Sequence, residues 1–382
     1  MVTFSLILLG AALPLSLATS NAALGLLTLG FLLALRDPAG RANASGRLKD
    51  AARTPLFAAL SLYAAAALLS GLAGVGPAKS LSIWPKDLHK LWVALLIGAL
   101  LDERRKLLFA RGLAVGAAAA ALVGIAQSAV SSWRGAYLRA HAFIHPVSYG
   151  ESLGLAFLGL ILTGEEVLPR AARRWALAAL ALALVLNQTR AVQLGVVVGL
   201  AAVAALRPRW RKAFGVVFLA GVAIAAASEF LVPGGRSLRD LSSLQGPQAA
   251  RLTLWSVAWR MFRDHPWTGA GPGQYRTLFS AYFPGKLDGE GNWGNAHDLF
   301  LHQAAERGLA GLFALGAVVA ALGVEVRSQV RADADGWALW SLAACVAFLV
   351  MNVTETAFQT EQVATLFLVL VLLPSAGRPA RE

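Results

Sequence analysis

Cysteine is nearly missing from this chain: Cys345 is the single one in 382 residues. It lies in an apolar run, so a disulfide framework and a thiolate metal site within one chain are both excluded. Charge is scarce as well, at 14% of residues, against about 25% in a soluble domain. No serine occupies a nucleophile elbow, which argues against a Ser-His-Asp hydrolase. The glycines at 269, 271 and 273 follow no strand pattern and lack dinucleotide-binding spacing, so they read as a plain turn. His297 and His302 are poorly aligned on a helix, and no acidic motif of metal-ligand spacing lies near them, so no metal is expected. The first apolar run has no basic leader and is followed at once by another, which reads as a retained span.

What the chain does have is apolar sequence. Hydrophobic residues make up 57%, and the mean hydropathy is +0.60. Separate apolar runs divided by short charged loops predict an all-α polytopic membrane protein. The net charge of +13 sits largely in short loops, as the positive-inside rule requires, and points to topology and not to a nucleic-acid partner. Arg36, Arg41, Arg47, Lys49 and Arg53 carry the strongest such signal and place the N-terminus in the cytoplasm. About twelve transmembrane helices are expected: nine over 1–231, a long extracytoplasmic loop over 232–305 holding short amphipathic helices and the catalytic segment, and three more over 306–382 with a short cytoplasmic tail. The run 175–206 would be about 48 Å long as one helix, too long for a core of about 30 Å. A turn near Asn187–Arg190 is therefore expected, with Arg190 at the extracytoplasmic face.

The long loop holds the candidate chemistry. Residues 251–263 have helical periodicity, with Leu252, Trp255, Trp259 and Phe262 on one stripe. Arg251 is expected to point inward and Arg260 outward, and Asp264–Pro266 end the helix. Asn295 reads as the N-cap of the next helix, with Asp298 reinforcing the cap and His297 in the first turn. A histidine there suits a general base or a phosphate contact. Glu306 is expected to pair with His302 at the surface. An arginine inside an apolar run, such as Arg190, either functions or snorkels to an interface. The 131–150 loop carries Arg139, and its His141 and His145 read as structural or acceptor-side residues.

Two patterns in this region resemble the O-antigen ligase superfamily. One is R-x3-W-x6-F-x-D-x-P-x2-G-x-G-P-G, from Arg251 to Gly273. The other is H-[ND]-x-[YF]-L-x4-E-x-G-x2-G, here His297, Phe300, Leu301, Glu306, Gly308 and Gly311. The NQTR ending at Arg190 is similar to the family's Ser/Thr-Arg at a span end, while Asp298 departs from its common Asn or Ser. The resemblance implies a GT-C-like fold in the bacterial inner membrane, with the active site facing the periplasm. It implies an inverting, metal-independent glycosyltransferase with no cofactor. The donor would be a glycan on undecaprenyl pyrophosphate and the acceptor a sugar hydroxyl of lipid A-core. His297 would be the base, and Arg190 and Arg251 would bind the pyrophosphate, with Arg139, His145 and Asp298 in support. An O-antigen polymerase or a protein O-oligosaccharyltransferase would use the same donor. A lipid or glycan transporter is the alternative of another class, although neither repeated halves nor broken midplane helices are apparent.

Overall fold

The computed structural model describes residues 1–135, 138–231, 247–287, 291–332 and 336–375. The start of the expected long loop (232–246) and most of the expected tail (376–382) lie outside the described residues. The regular structure is helical: α1 (Val2–Ala12), α2 (Leu17–Ala34), α3 (Pro38–Ala52), α4 (Pro55–Ala73), α5 (Pro77–Ile83), α6 (Pro85–Leu100), α7 (Glu103–Trp133) and α8 (Pro146–Leu162), then α9 (Arg170–Asn187), α10 (Arg190–Leu206), α11 (Arg211–Leu231), α12 (Pro247–Asp264), α13 (Gln274–Tyr282), α14 (Leu299–Ala332), α15 (Gly336–Met351) and α16 (Glu361–Leu372). Ser16, Asp37, Thr54 and Asp102 cap their helices through side-chain oxygens. Each satisfies a backbone N–H that the first turn leaves unpaired.

The expectation of about twelve spans in a GT-C-like arrangement is corrected. Among the described residues, four helices are long and apolar enough to cross a membrane: α2, α4, α7 and α14. They are consistent with membrane association. Five other apolar runs among the described residues form shorter helices, α1, α8, α10, α15 and α16, and contribute to the protein core. The 11 residues of α1 reach only about 17 Å at about 1.5 Å per residue. Residues Gln362–Val371 of α16 are all buried, as are Ser148–Ala156 of α8. A helix buried all round reads in sequence like one surrounded by lipid. The 36–53 segment, expected as a charged loop, is mostly the helix α3.

Small residues let the helices approach closely, a common device where apolar helices pack on one another. A methyl at Gly112 of α7 would lie 2.4 Å from the Ile7 carbonyl oxygen, and one at Gly116 would lie 2.1 Å from that of Ala11. Gly195 and Gly199 on α10 bring that helix against Ala347 and Ala343 of α15 in the same manner. A second, smaller core joins α12, α13 and the start of α14 through Leu254, Val257, Ala258, Met261, Tyr275, Phe279, Ala296 and Ala305. The segment after α11 thus has its own apolar centre, which positions the site described next.

Candidate functional site

The run 175–206 breaks where its length required. α9 ends at Asn187, Gln188 is left-handed (φ 52°), and α10 starts at Arg190. Asn187 is fully buried. Its Nδ2 donates to the carbonyls of Ala140 (2.7 Å) and Pro146 (2.8 Å). Arg139 donates from Nε to the Asn187 carbonyl at 2.8 Å and from Nη2 to Thr189 Oγ1 at 2.7 Å. Arg139 thus braces the turn that carries Arg190. His145 caps α8, its Nδ1 accepting from Val147 N–H at 3.3 Å. Burial and then the Arg139 guanidinium push the His145 imidazole below its ordinary range, while the Glu355 carboxylate opposes them. His297 acts on His145 in the same field, so this loop faces the second cluster.

That cluster joins three distant segments. Arg251 Nη2 lies 3.0 Å from Glu355 Oε1, and His297 Nδ1 lies 2.9 Å from Glu355 Oε2. Arg251 comes from α12, and its side chain remains 27% exposed, while that of Glu355 is 7% exposed. Glu355 sits in the turn after α15, where Asn352 ties the backbone together. The Asn352 carbonyl accepts from Leu299 N–H (3.0 Å), and its Oδ1 accepts from Phe358 N–H (3.1 Å). The turn that carries the carboxylate is thus bonded to the first residue of α14. Trp293 sets its ring edgewise to His297, with centroids 5.9 Å apart.

The cap of α14 differs from the expectation. Asp298, not Asn295, is the capping residue: its Oδ1 accepts from Leu301 N–H at 2.8 Å, and the helix starts at Leu299. Asn295 Oδ1 instead accepts from His297 N–H at 2.9 Å, in an Asx turn. His297 is therefore outside the helix in a left-handed conformation, φ 48°. Few non-glycine residues adopt this conformation, and it is found where function fixes a side chain.

The glycine pattern interlocks with the Glu306–Gly308 step. Gly308 breaks α14 at φ 60°, ψ −156°. The hydrogen bonds lost at this break are replaced from the turn below. Ala270 N–H donates to Ala305 O and Gly271 N–H to Glu306 O (both 2.9 Å), while Leu309 N–H donates to Pro266 O (2.8 Å). Glu306 is buried rather than at the surface; it accepts from Tyr275 N–H at 3.0 Å and lies 3.5 Å from His302. The predicted stripe of α12 is also reversed. Leu254, Val257, Ala258 and Met261 face the core, while Leu252 and Trp259 are half exposed. Arg251 still points inward, because it lies three residues before Leu254 on that buried face.

Arg251 and His297 are thus brought together at Glu355, Glu355 and His297 act electrostatically on His145, Arg139 braces the Asn187–Thr189 turn, and Asp298 turns away to its cap. Glu355 was missed by sequence reasoning. Its only signal is an ionisable residue in a short polar break between apolar runs. The long apolar helices are consistent with a membrane-associated protein, and its polar centre pairs a histidine and an arginine on one buried carboxylate. Residues 175–316 match the family model described as O-antigen ligase, so this segment of the chain is similar to that family. No curated protein matches the chain in a sequence comparison. The matched segment holds Arg190, Arg251, His297 and both glycine patterns; Glu355, Arg139 and His145 lie outside it.

Proposed function

We propose that the chain is an inverting, metal-independent glycosyltransferase that moves a glycan from undecaprenyl pyrophosphate to a sugar hydroxyl of lipid A-core, at a site facing the periplasm of the bacterial inner membrane. The observation that carries this reading is the meeting of Arg251 and His297 at Glu355. It sets a cation able to hold phosphate beside a base. In the proposed step His297 Nε2 takes the acceptor hydroxyl proton as the acceptor oxygen bonds to the anomeric carbon. The bond from that carbon to the pyrophosphate oxygen breaks, and its electron pair leaves with the lipid carrier. A single displacement of this kind inverts the anomeric configuration. Guanidinium groups match phosphate oxygens in geometry and stay charged, so Arg251 and Arg190 stabilise the leaving group as its charge develops.

The test mixes purified full-length protein with undecaprenyl-pyrophosphate glycan and lipid A-core, in EDTA and without nucleotide. Ligated product is expected, and His297→Ala lowers its rate on the order of 10²-fold or more. Longer chains on the carrier, with none on lipid A-core, would replace the ligase reading with a polymerase. No turnover of any donor would overturn enzymatic transfer in favour of transport.

A further inference from the structure

We propose that Glu355 is the positioning residue of the centre: one carboxylate fixes which nitrogen of His297 is basic and how far the base stands from the Arg251 cation. The inference rests on the glycan-transfer reading for its catalytic consequence but not for its geometry. A carboxylate flanked by an arginine and an imidazole is acceptor-only. The 2.9 Å contact from Nδ1 to Oε2 therefore requires the neutral ring to carry its proton on Nδ1. The lone pair is then on Nε2, the nitrogen that takes the acceptor proton. When the ring becomes positive, the same oxygen faces the new charge. This is the service an acidic partner gives a catalytic histidine.

The second oxygen does separate work. Oε1 takes one N–H of Arg251 at 3.0 Å and so orients the fork. Arg251 and His297 are 104 and 58 residues from Glu355 in the chain. Neither lies on a common helix with the other, so this buried carboxylate supplies the link that sets their spacing. The turn that carries it is itself bonded to Leu299 through Asn352, two residues beyond His297.

Glu355→Gln keeps the size of the side chain and removes the charge. Its transfer rate is expected to fall on the order of 10²-fold, with the loss in kcat. Glu355→Asp, which restores the charge on a shorter arm, recovers part of it. The decisive readout is the ring tautomer, read by ¹⁵N magic-angle-spinning spectra of histidine-labelled protein in lipid. The chain has six histidines, and a His297→Asn sample identifies the signal of interest. The wild type is expected to show the Nδ1–H form, and Glu355→Gln a mixture or the Nε2–H form. A wild-type ring protonated on Nε2 overturns the inference, as does a Glu355→Gln protein with unchanged tautomer and unchanged kcat. If the wild type transfers no glycan but its tautomer follows Glu355, the transfer reading fails and the positioning role stands.

Discussion

Asp298 shows how one residue can satisfy a local need without entering the chemistry. It stands beside His297, yet its carboxylate is turned to Leu301 N–H. Asn and Ser, which the resemblance gives as common there, are equally good helix caps. Asp298→Asn is therefore expected to leave glycan transfer intact, while Asp298→Ala loses about 1 kcal/mol of stability with the cap. Burial holds this carboxyl above its ordinary range, against the opposing pull of the Leu301 and Phe300 N–H groups. The folded state thus binds the proton before the unfolded chain does. The charged form costs stability at neutral pH, and that cost fades as pH falls through the raised folded value toward the unfolded value near 4. Thermal melts should place Asp298→Asn at or above wild type at pH 7, with the gap closing in acid. His297 and Arg251 were legible in the sequence because each sits in a spaced pattern. Glu355 was not, because its partners are distant in the chain and nothing local to MNVTETAFQTE shows what it faces.

At the scale of elements, the two glycine patterns are halves of one joint. A methyl at Gly269 would lie 2.2 Å from the backbone nitrogen of Arg307, and one at Gly308 would lie 2.6 Å from that of Gly269. Gly308 also occupies a region of backbone space that is essentially reserved for glycine. Gly269→Ala and Gly308→Ala are each expected to destabilise the protein by about 3 kcal/mol, as overpacking with backbone strain does. The measurement is a lowered melting temperature in detergent. A variant that melts at the wild-type temperature would show that the joint can open without cost. Sequence periodicity located the α9–α10 break and the end of α12, because length limits and Asp-His-Pro chemistry are local. It misplaced the start of α14, since Asn295 and Asp298 are both good caps and only the chain path selects between them. It reversed the face of α12 because an aromatic stripe that stays partly exposed carries the same period as one packed in a core.

For the molecule as a whole, hydropathy could not distinguish lipid from protein as the apolar surroundings of a helix, and about twelve expected spans became, among the described residues, four helices of sufficient length and apolarity. The all-α class was legible because helical runs dominate the sequence. The candidate site was only partly so, because it is assembled from α12, the approach to α14 and the turn before α16. A ligand that joins such distant segments should stabilise the entire chain. Inorganic pyrophosphate is the simplest probe, since it presents the charge of the proposed leaving group without the lipid or sugar. Binding only to the folded state adds about 2.7 kcal/mol at a concentration 100 times the Kd. A rise in melting temperature is therefore expected with pyrophosphate, and it should be lost in Arg251→Ala and in Arg190→Ala. The rise should persist in EDTA if guanidinium groups supply the positive charge, and shrink with added salt as exposed charges are screened. A rise that needs magnesium would transfer the phosphate-binding role to a metal. A rise that survives both arginine substitutions would move the pyrophosphate site elsewhere and leave the Arg251–Glu355–His297 cluster as an acceptor-side device alone.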